Sequence, residues 1–287
     1  MGAGHEVWAI EISGLSGPQS VVVDPVSGSY FIANQSVHPQ TKADQGFVSK
    51  VSKDGLVIVL QFIQSRDGET LHGIRDMVIL GRHLYITDTH TIHVYDVDTG
   101  LFVADLDLSH LKPELITGLT SNGESILFAL DQRANAIYEI DIHHPESAKI
   151  IFQSDDLYEP TAICYSAATR SLLVATGDPA DILEVKLNGT QKVLKNNMGF
   201  VRGMSLDSRG DLFIASSKDM AIYRVNQQGA GAIQTFRKEV PSASDLYFNP
   251  AQQELVTCFP ELNKVITYSL ENASRGNFIF FNAGLGE

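Results

Sequence analysis

Two cysteines are too few for a disulfide framework or a thiolate zinc site. Both, Cys164 and Cys258, sit inside apolar strand-like runs and read as small buried hydrophobes. No stretch approaches the roughly 18 apolar residues that span a bilayer. The opening Met1-Gly-Ala-Gly-His5 carries no apolar signal segment. Basic residues are scarce as well: 21 Lys and Arg stand against 34 Asp and Glu, a formal net charge of −13, with no local run of Lys or Arg. Such a surface repels phosphate backbones and anionic lipid, so neither nucleic acid nor membrane is an expected partner. The nucleophile elbow, the phosphate loop and the His-Glu-x-x-His helix are missing. So is helical periodicity.

What the chain does contain is a repeat. Ile116-Thr-Gly-Leu119 leads to a polar turn, an alternating strand (Ser125–Leu130) and a second one (Ala136–Ile140). The same order follows Ile74-Arg-Asp-Met77 and Val201-Arg-Gly-Met204, and weaker copies begin at Pro18, Pro160 and Ala243. The copies start about 42 residues apart, the period of a propeller blade, with about a dozen extra residues in the first interval. That excess is the polar loop 35–45. Period-two alternation between Gly, Asp, Asn and Ser turns marks half-buried strands. A four-stranded blade buries neither face alone, so the copies must stack around an axis.

The expected architecture is therefore all-β: residues 1–287 form one six-bladed β-propeller with four-stranded antiparallel blades. Inner strands are expected near 19–24, 75–80, 117–121, 161–166, 202–207 and 244–249. Two segments have the phase of the missing outer strand of blade six, Glu6–Ile12 and Asn277–Phe281. Closure by the N-terminal strand is expected, because it ties the chain ends together and removes an open edge.

In such a ring the first residues of the inner strands line one mouth of the central channel. Aligned on Val21, Met77, Leu119, Ile163, Met204 and Leu246, this rim reads Gln19, Arg75, Thr117, Thr161, Arg202 and Ser244. It holds two guanidinium groups, one amide and three hydroxyls, and no carboxylate. A planar guanidinium fork suits carboxylate or phosphate, so the rim is a candidate pocket for a small anion. The alternative is that Arg75 and Arg202 pair with Asp76 and Asp245 and merely plug the channel. Loops after the second strands open on the same face. They add Asp88, Arg133, His72 and His90 as candidate pocket walls, with turn formation as their alternative role. His143 and His144 follow a third strand and are expected to be exposed.

The repeat architecture, the shapes Ile116-Thr-Gly-Leu119 and Val201-Arg-Gly-Met204, and segments such as Gly46-Phe-Val-Ser-Lys50 and Gly81-Arg-His-Leu-Tyr-Ile-Thr-Asp88 carry a family resemblance. They resemble the SMP-30/gluconolactonase/luciferin-regenerating-enzyme-like propellers over nearly the whole chain. NHL-repeat propellers share many of the same strand motifs. The resemblance implies a propeller and, from its bacterial members, a periplasmic or secreted location. The family's lactonases hold a divalent cation on a Glu, an Asn and an Asp, the Asp being the proposed base. Those places are taken here by Gln19, Thr117 and Arg202. Hard cations need anionic oxygens, and a guanidinium opposes one. No metal and no cofactor is expected. Three functions stay open: a small-anion-binding propeller with a degenerate metal site, a lactone or sugar-acid hydrolase with a shifted or metal-free site, and a protein-interaction scaffold. The expected state is a monomer.

Overall fold

The period-two runs become short strands, four to a blade. The computed structural model describes residues 10–35, 46–65, 71–178, 180–226 and 229–270. After β1 (Glu11–Ile12), blade one is β2–β5 (Pro18–Val23, Tyr30–Gln35, Gly46–Val51, Val57–Gln64). Blade two is β6–β9 (Ile74–Leu80, His83–Asp88, Thr91–Asp96, Phe102–Leu106). Blade three is β10–β13 (Ile116–Ser121, Ile126–Asp131, Ala136–Asp141, Lys149–Gln153). Blade four is β14–β17 (Ala162–Ser166, Ser171–Ala175, Ile182–Lys186, Gln191–Lys195). Blade five is β18–β21 (Val201–Leu206, Leu212–Ser216, Ala221–Val225, Ile233–Lys238). Blade six contributes β22–β24 (Asp245–Asn249, Glu254–Phe259, Lys264–Ser269). The chain thus forms a six-bladed β-propeller with antiparallel four-stranded sheets. Among the described residues the only helical pieces are three-residue 3-10 turns, so no helix there is long enough to cross a membrane.

Each inner strand lies within one residue of its expected start. At the outer edge of blade six, Glu11 and Ile12 of β1 pair antiparallel with Ile266 and Val265 of β24. Ile10 extends the contact through hydrogen bonds with Thr267, and Glu11 meets Lys264 at 2.7 Å. The rest of the expected closing strand, 6–9, the rival segment 277–281 and the loop 36–45 lie outside the described residues.

The stacking argument predicts a core divided by blade interfaces, and the buried side chains follow it. They fall into six clusters, one for each neighbouring pair of blades. Phe31, Phe128 and Phe213 fill three of these interfaces and are at most 1% exposed. Truncating one such ring to Ala costs roughly 3–5 kcal/mol. Cys164 and Cys258 are buried free thiols in this packing, and His143 and His144 are exposed.

Candidate functional site

The rim is built by a recurring irregularity. In blades one, two, three and five the pairing of the inner strand with its neighbour skips, between Pro18 and Ser20, Ile74 and Met77, Ile116 and Gly118, and Val201 and Gly203. The skipped residues include Gln19, Arg75, Thr117 and Arg202. A bulge leaves its residue out of the ladder and re-aims its side chain, here toward the channel. In blades four and six the equivalents, Thr161 and Ser244, stand one residue before the strand.

All six expected rim residues line one pocket of about 160 Å³. Arg75 and Arg202 come from blades two and five, opposite each other around the ring. Arg202 stacks over Phe200 at 4.8 Å from the ring centre. Burial first, and then the like charge of Arg75, lower the Arg202 guanidinium from its ordinary value, although a guanidinium stays charged throughout. The uncharged members are mostly engaged: Ser244 Oγ donates to the Gln19 and Pro18 carbonyls at 2.8 and 3.1 Å, Gln19 Nε2 to the Gly17 carbonyl at 3.3 Å, and Thr161 Oγ1 to the Thr176 carbonyl at 3.4 Å. Thr117 Oγ1 is buried and has no hydrogen-bond partner among the described residues.

One residue deeper, the ring reads Ser20, Asp76, Gly118, Ala162, Gly203 and Asp245. Asp76 accepts from the Leu119 amide of blade three at 2.7 Å, from the Met77 amide at 2.8 Å and from Ser20 Oγ at 3.1 Å. Asp245 accepts from the Val21 amide of blade one at 3.0 Å and from the Leu246 amide at 2.7 Å. Both carboxyls therefore staple neighbouring blades, and among the described residues neither guanidinium has a carboxylate partner. Burial first, and then the charge of Asp245, push Asp76 well above the usual carboxylate range. Burial pushes Asp245 up to about 6 against the pull of its amide donors and Ser20. A second cavity, of about 290 Å³, opens beyond this layer. Asp76, Ile163, Met204 and Asp245 border both spaces.

The loop candidates are placed differently. Asp88 accepts from the His72 and Gly73 amides at 2.7 and 3.0 Å, fixing the turn that enters β6. Burial alone would raise its carboxyl, but hydrogen bonds from His93 and these amides outweigh it and hold it low. Asp131 does the same for Glu114 and Leu115 before β10, and Asn34 for Ser16 before β2. This position is a clamp on the loop that leads into the inner strand of its own blade. His72 reaches Asp88 at 3.7 Å and is largely exposed. Asp88, Arg133 and His72 do not border the rim pocket, whereas Gln132 does.

No family model matches the chain, and no curated protein matches it in sequence. Solved structures do match in shape. An auxiliary nutrient binding protein from Bacteroides thetaiotaomicron superposes with a TM-score of 0.68 at 10% identity, over 92% of this chain and 76% of that one. A virginiamycin B lyase from Staphylococcus aureus gives 0.64 at 13% identity, over 92% of this chain and 100% of the other. A luciferin-regenerating enzyme gives 0.66 at 11% identity, over 91% and 95%. The likeness is one of fold. The resemblance read from the repeat and its strand motifs holds at that level.

Sequence reasoning did not assign four contributors to the pocket, Phe200, Gln132, Asp76 and Asp245. Phe200 lies two residues before Arg202 and so on the same face of an extended chain, a spacing that marks it as a platform for the guanidinium. Gln132 was inside a loop already singled out, one residue from Arg133, and only the turn geometry set by Asp131 decides which of the two faces inward. Asp76 and Asp245 stood out only as possible partners of the arginines. Nothing in the sequence shows that the neighbouring blade's amides would claim them.

Proposed function

We propose that the rim pocket binds a small anionic molecule between Arg75 and Arg202. The observation that carries this reading is that two guanidinium groups border one pocket while the carboxyls that border it, Asp76 and Asp245, are committed to backbone amides and, for Asp76, to Ser20. The unpartnered Thr117 Oγ1 supplies a hydroxyl for the same ligand. Metal-assisted chemistry of the lactonase kind does not suit the donor set. Gln19, Thr117 and Arg202 offer no anionic oxygen, and among the described residues no group of three His, Cys, Asp or Glu is placed to hold an ion. The metal site is in this reading degenerate. A net charge of −13 disfavours nucleic acid and anionic membrane as partners and leaves the rim as a local reversal of sign.

A charge-assisted hydrogen bond to each guanidinium contributes on the order of 1.5–3 kcal/mol. Calorimetric titration of the wild type, Arg75→Ala and Arg202→Ala with small carboxylates and phosphate at low salt tests this. Each substitution is expected to weaken binding by roughly ten- to a hundredfold. A wild type indifferent to every anion, or alanine variants that bind as well as it does, would overturn the reading.

A further inference from the structure

Beneath the rim, Asp76 and Asp245 border both cavities and flank the Ser20-Val21 stretch of β2. Ser20 Oγ donates to Asp76 at 3.1 Å, and the amide of the next residue, Val21, donates to Asp245 at 3.0 Å. We propose that Asp76 and Asp245, held by the consecutive residues Ser20 and Val21, form a proton-accepting pair, so that binding of an anion at the rim takes up a proton. This rests on the anion-binding reading and adds its regulation.

The charges in that layer decide where a proton rests. Two partly buried carboxylates held close, with no cation in contact among the described residues, disfavour double ionisation, so one proton is retained into the range where single carboxyls have lost theirs. This agrees with the upward displacement of both groups. Arg75 on β6 and Arg202 on β18 stand one layer above and favour the ionised form. Behind the pair, burial first, and then the charges of Asp245 and Asp76, push the Cys258 thiol of β23 well up. Burial raises the Tyr247 phenol on β22, and pushes the Cys164 thiol of β14, across the lower cavity, up to about 12. Those three groups keep their protons over the working range, so Asp76 and Asp245 are the ones whose charge changes there.

An anion placed above the pair raises its affinity for a proton, and by linkage a proton on the pair raises affinity for the anion. The overall step is anion plus one proton from solvent, the proton resting on a carboxyl oxygen, with no bond in the ligand made or broken. His72 and His90 on the rim loops are further ionisable side chains on the same face and must be separated from the pair.

Methanesulfonate is the probe, because its charge is constant between about pH 5 and about pH 8. Full-length protein is titrated by calorimetry in buffers of different ionisation enthalpy. The expected result is uptake of up to about one proton per anion, with affinity rising about tenfold from about pH 8 to about pH 5. Asp76→Asn and Asp245→Asn should flatten that slope, while a variant with both His72→Gln and His90→Gln keeps it. Binding without proton uptake overturns the coupling and leaves the anion site standing. A slope lost in the histidine variant and kept in the Asn variants assigns the proton elsewhere and also overturns it. Absence of binding at every pH overturns the anion reading and this inference together. Should the Asn variants fail to fold, infrared difference spectra of the wild type decide: a protonated-carboxyl band must grow when methanesulfonate is added, and its absence refutes the pair.

Discussion

At the layer just below the rim, the two halves of the ring solve the same problem with different chemistry. Around blade one, Asp245, Ser20 and Asp76 bridge the gaps between inner strands with carboxyl and hydroxyl groups. Around blades three to five, Gly118, Ala162 and Gly203 stand at the same repeat position. A methyl group on Gly203 would lie 2.5 Å from the Leu246 amide nitrogen, and one on Gly118 would lie 3.0 Å from Ile163 Cγ2. Here the next blade comes so close that nothing is left to bridge. The difference gives the channel a sidedness that six identical repeats would not have: acid on one side of its waist, bare backbone and the apolar Ile163 and Met204 on the other.

The comparison breaks most visibly at Gly203. Gly203→Ala meets backbone atoms of β22, which cannot rotate away, and is expected to cost roughly 3 kcal/mol or more, read by chemical denaturation. A cost under about 1 kcal/mol would show that blades five and six are not in close contact at this layer.

Next comes the acid side, through pH. The Asp245 carboxyl is raised from an ordinary 3.8 to about 6, so its ionised form is the unfavourable one in the folded state. Its contribution is fully present below the unfolded value and is lost as pH rises through about 6. Relative to Asp245→Asn, the wild type should therefore lose roughly 2 kcal/mol between about pH 4 and about pH 7. Parallel melting curves with the same pH slope would mean that this carboxyl is not displaced.

The smallest effect belongs to Gly118→Ala, expected at about 1 kcal/mol because the obstructing atom is a side-chain methyl that can shift. Equal costs at Gly118 and Gly203 would remove the distinction between a yielding and an unyielding contact.

Much of this was legible in the sequence. The repeat fixed the blade count and placed the inner strands, because turn residues and period-two alternation are local signals that tertiary packing reinforces. Counting back two residues from the apolar anchor found all six rim side chains, since the same bulge or strand start recurs in each blade. Asp88 was less readable. An Asp at a strand end looks the same whether it faces a ligand or clamps a loop, and only the Gly73 and His72 amides tell the two apart. The destination of Asp76 and Asp245 was hidden for a related reason. Their partners are backbone amides of the next blade, which carry no sequence signature.

Arg75 and Arg202, which have no carboxylate partner among the described residues, are the groups proposed to meet an anion. The direct measurement is a crystal grown with selenate and recorded for its anomalous signal. The expected result is a selenium peak in the rim pocket, with oxygen atoms at hydrogen-bonding distance from both Arg75 and Arg202. An unoccupied pocket, with either guanidinium paired to a carboxylate of this chain, would contradict it.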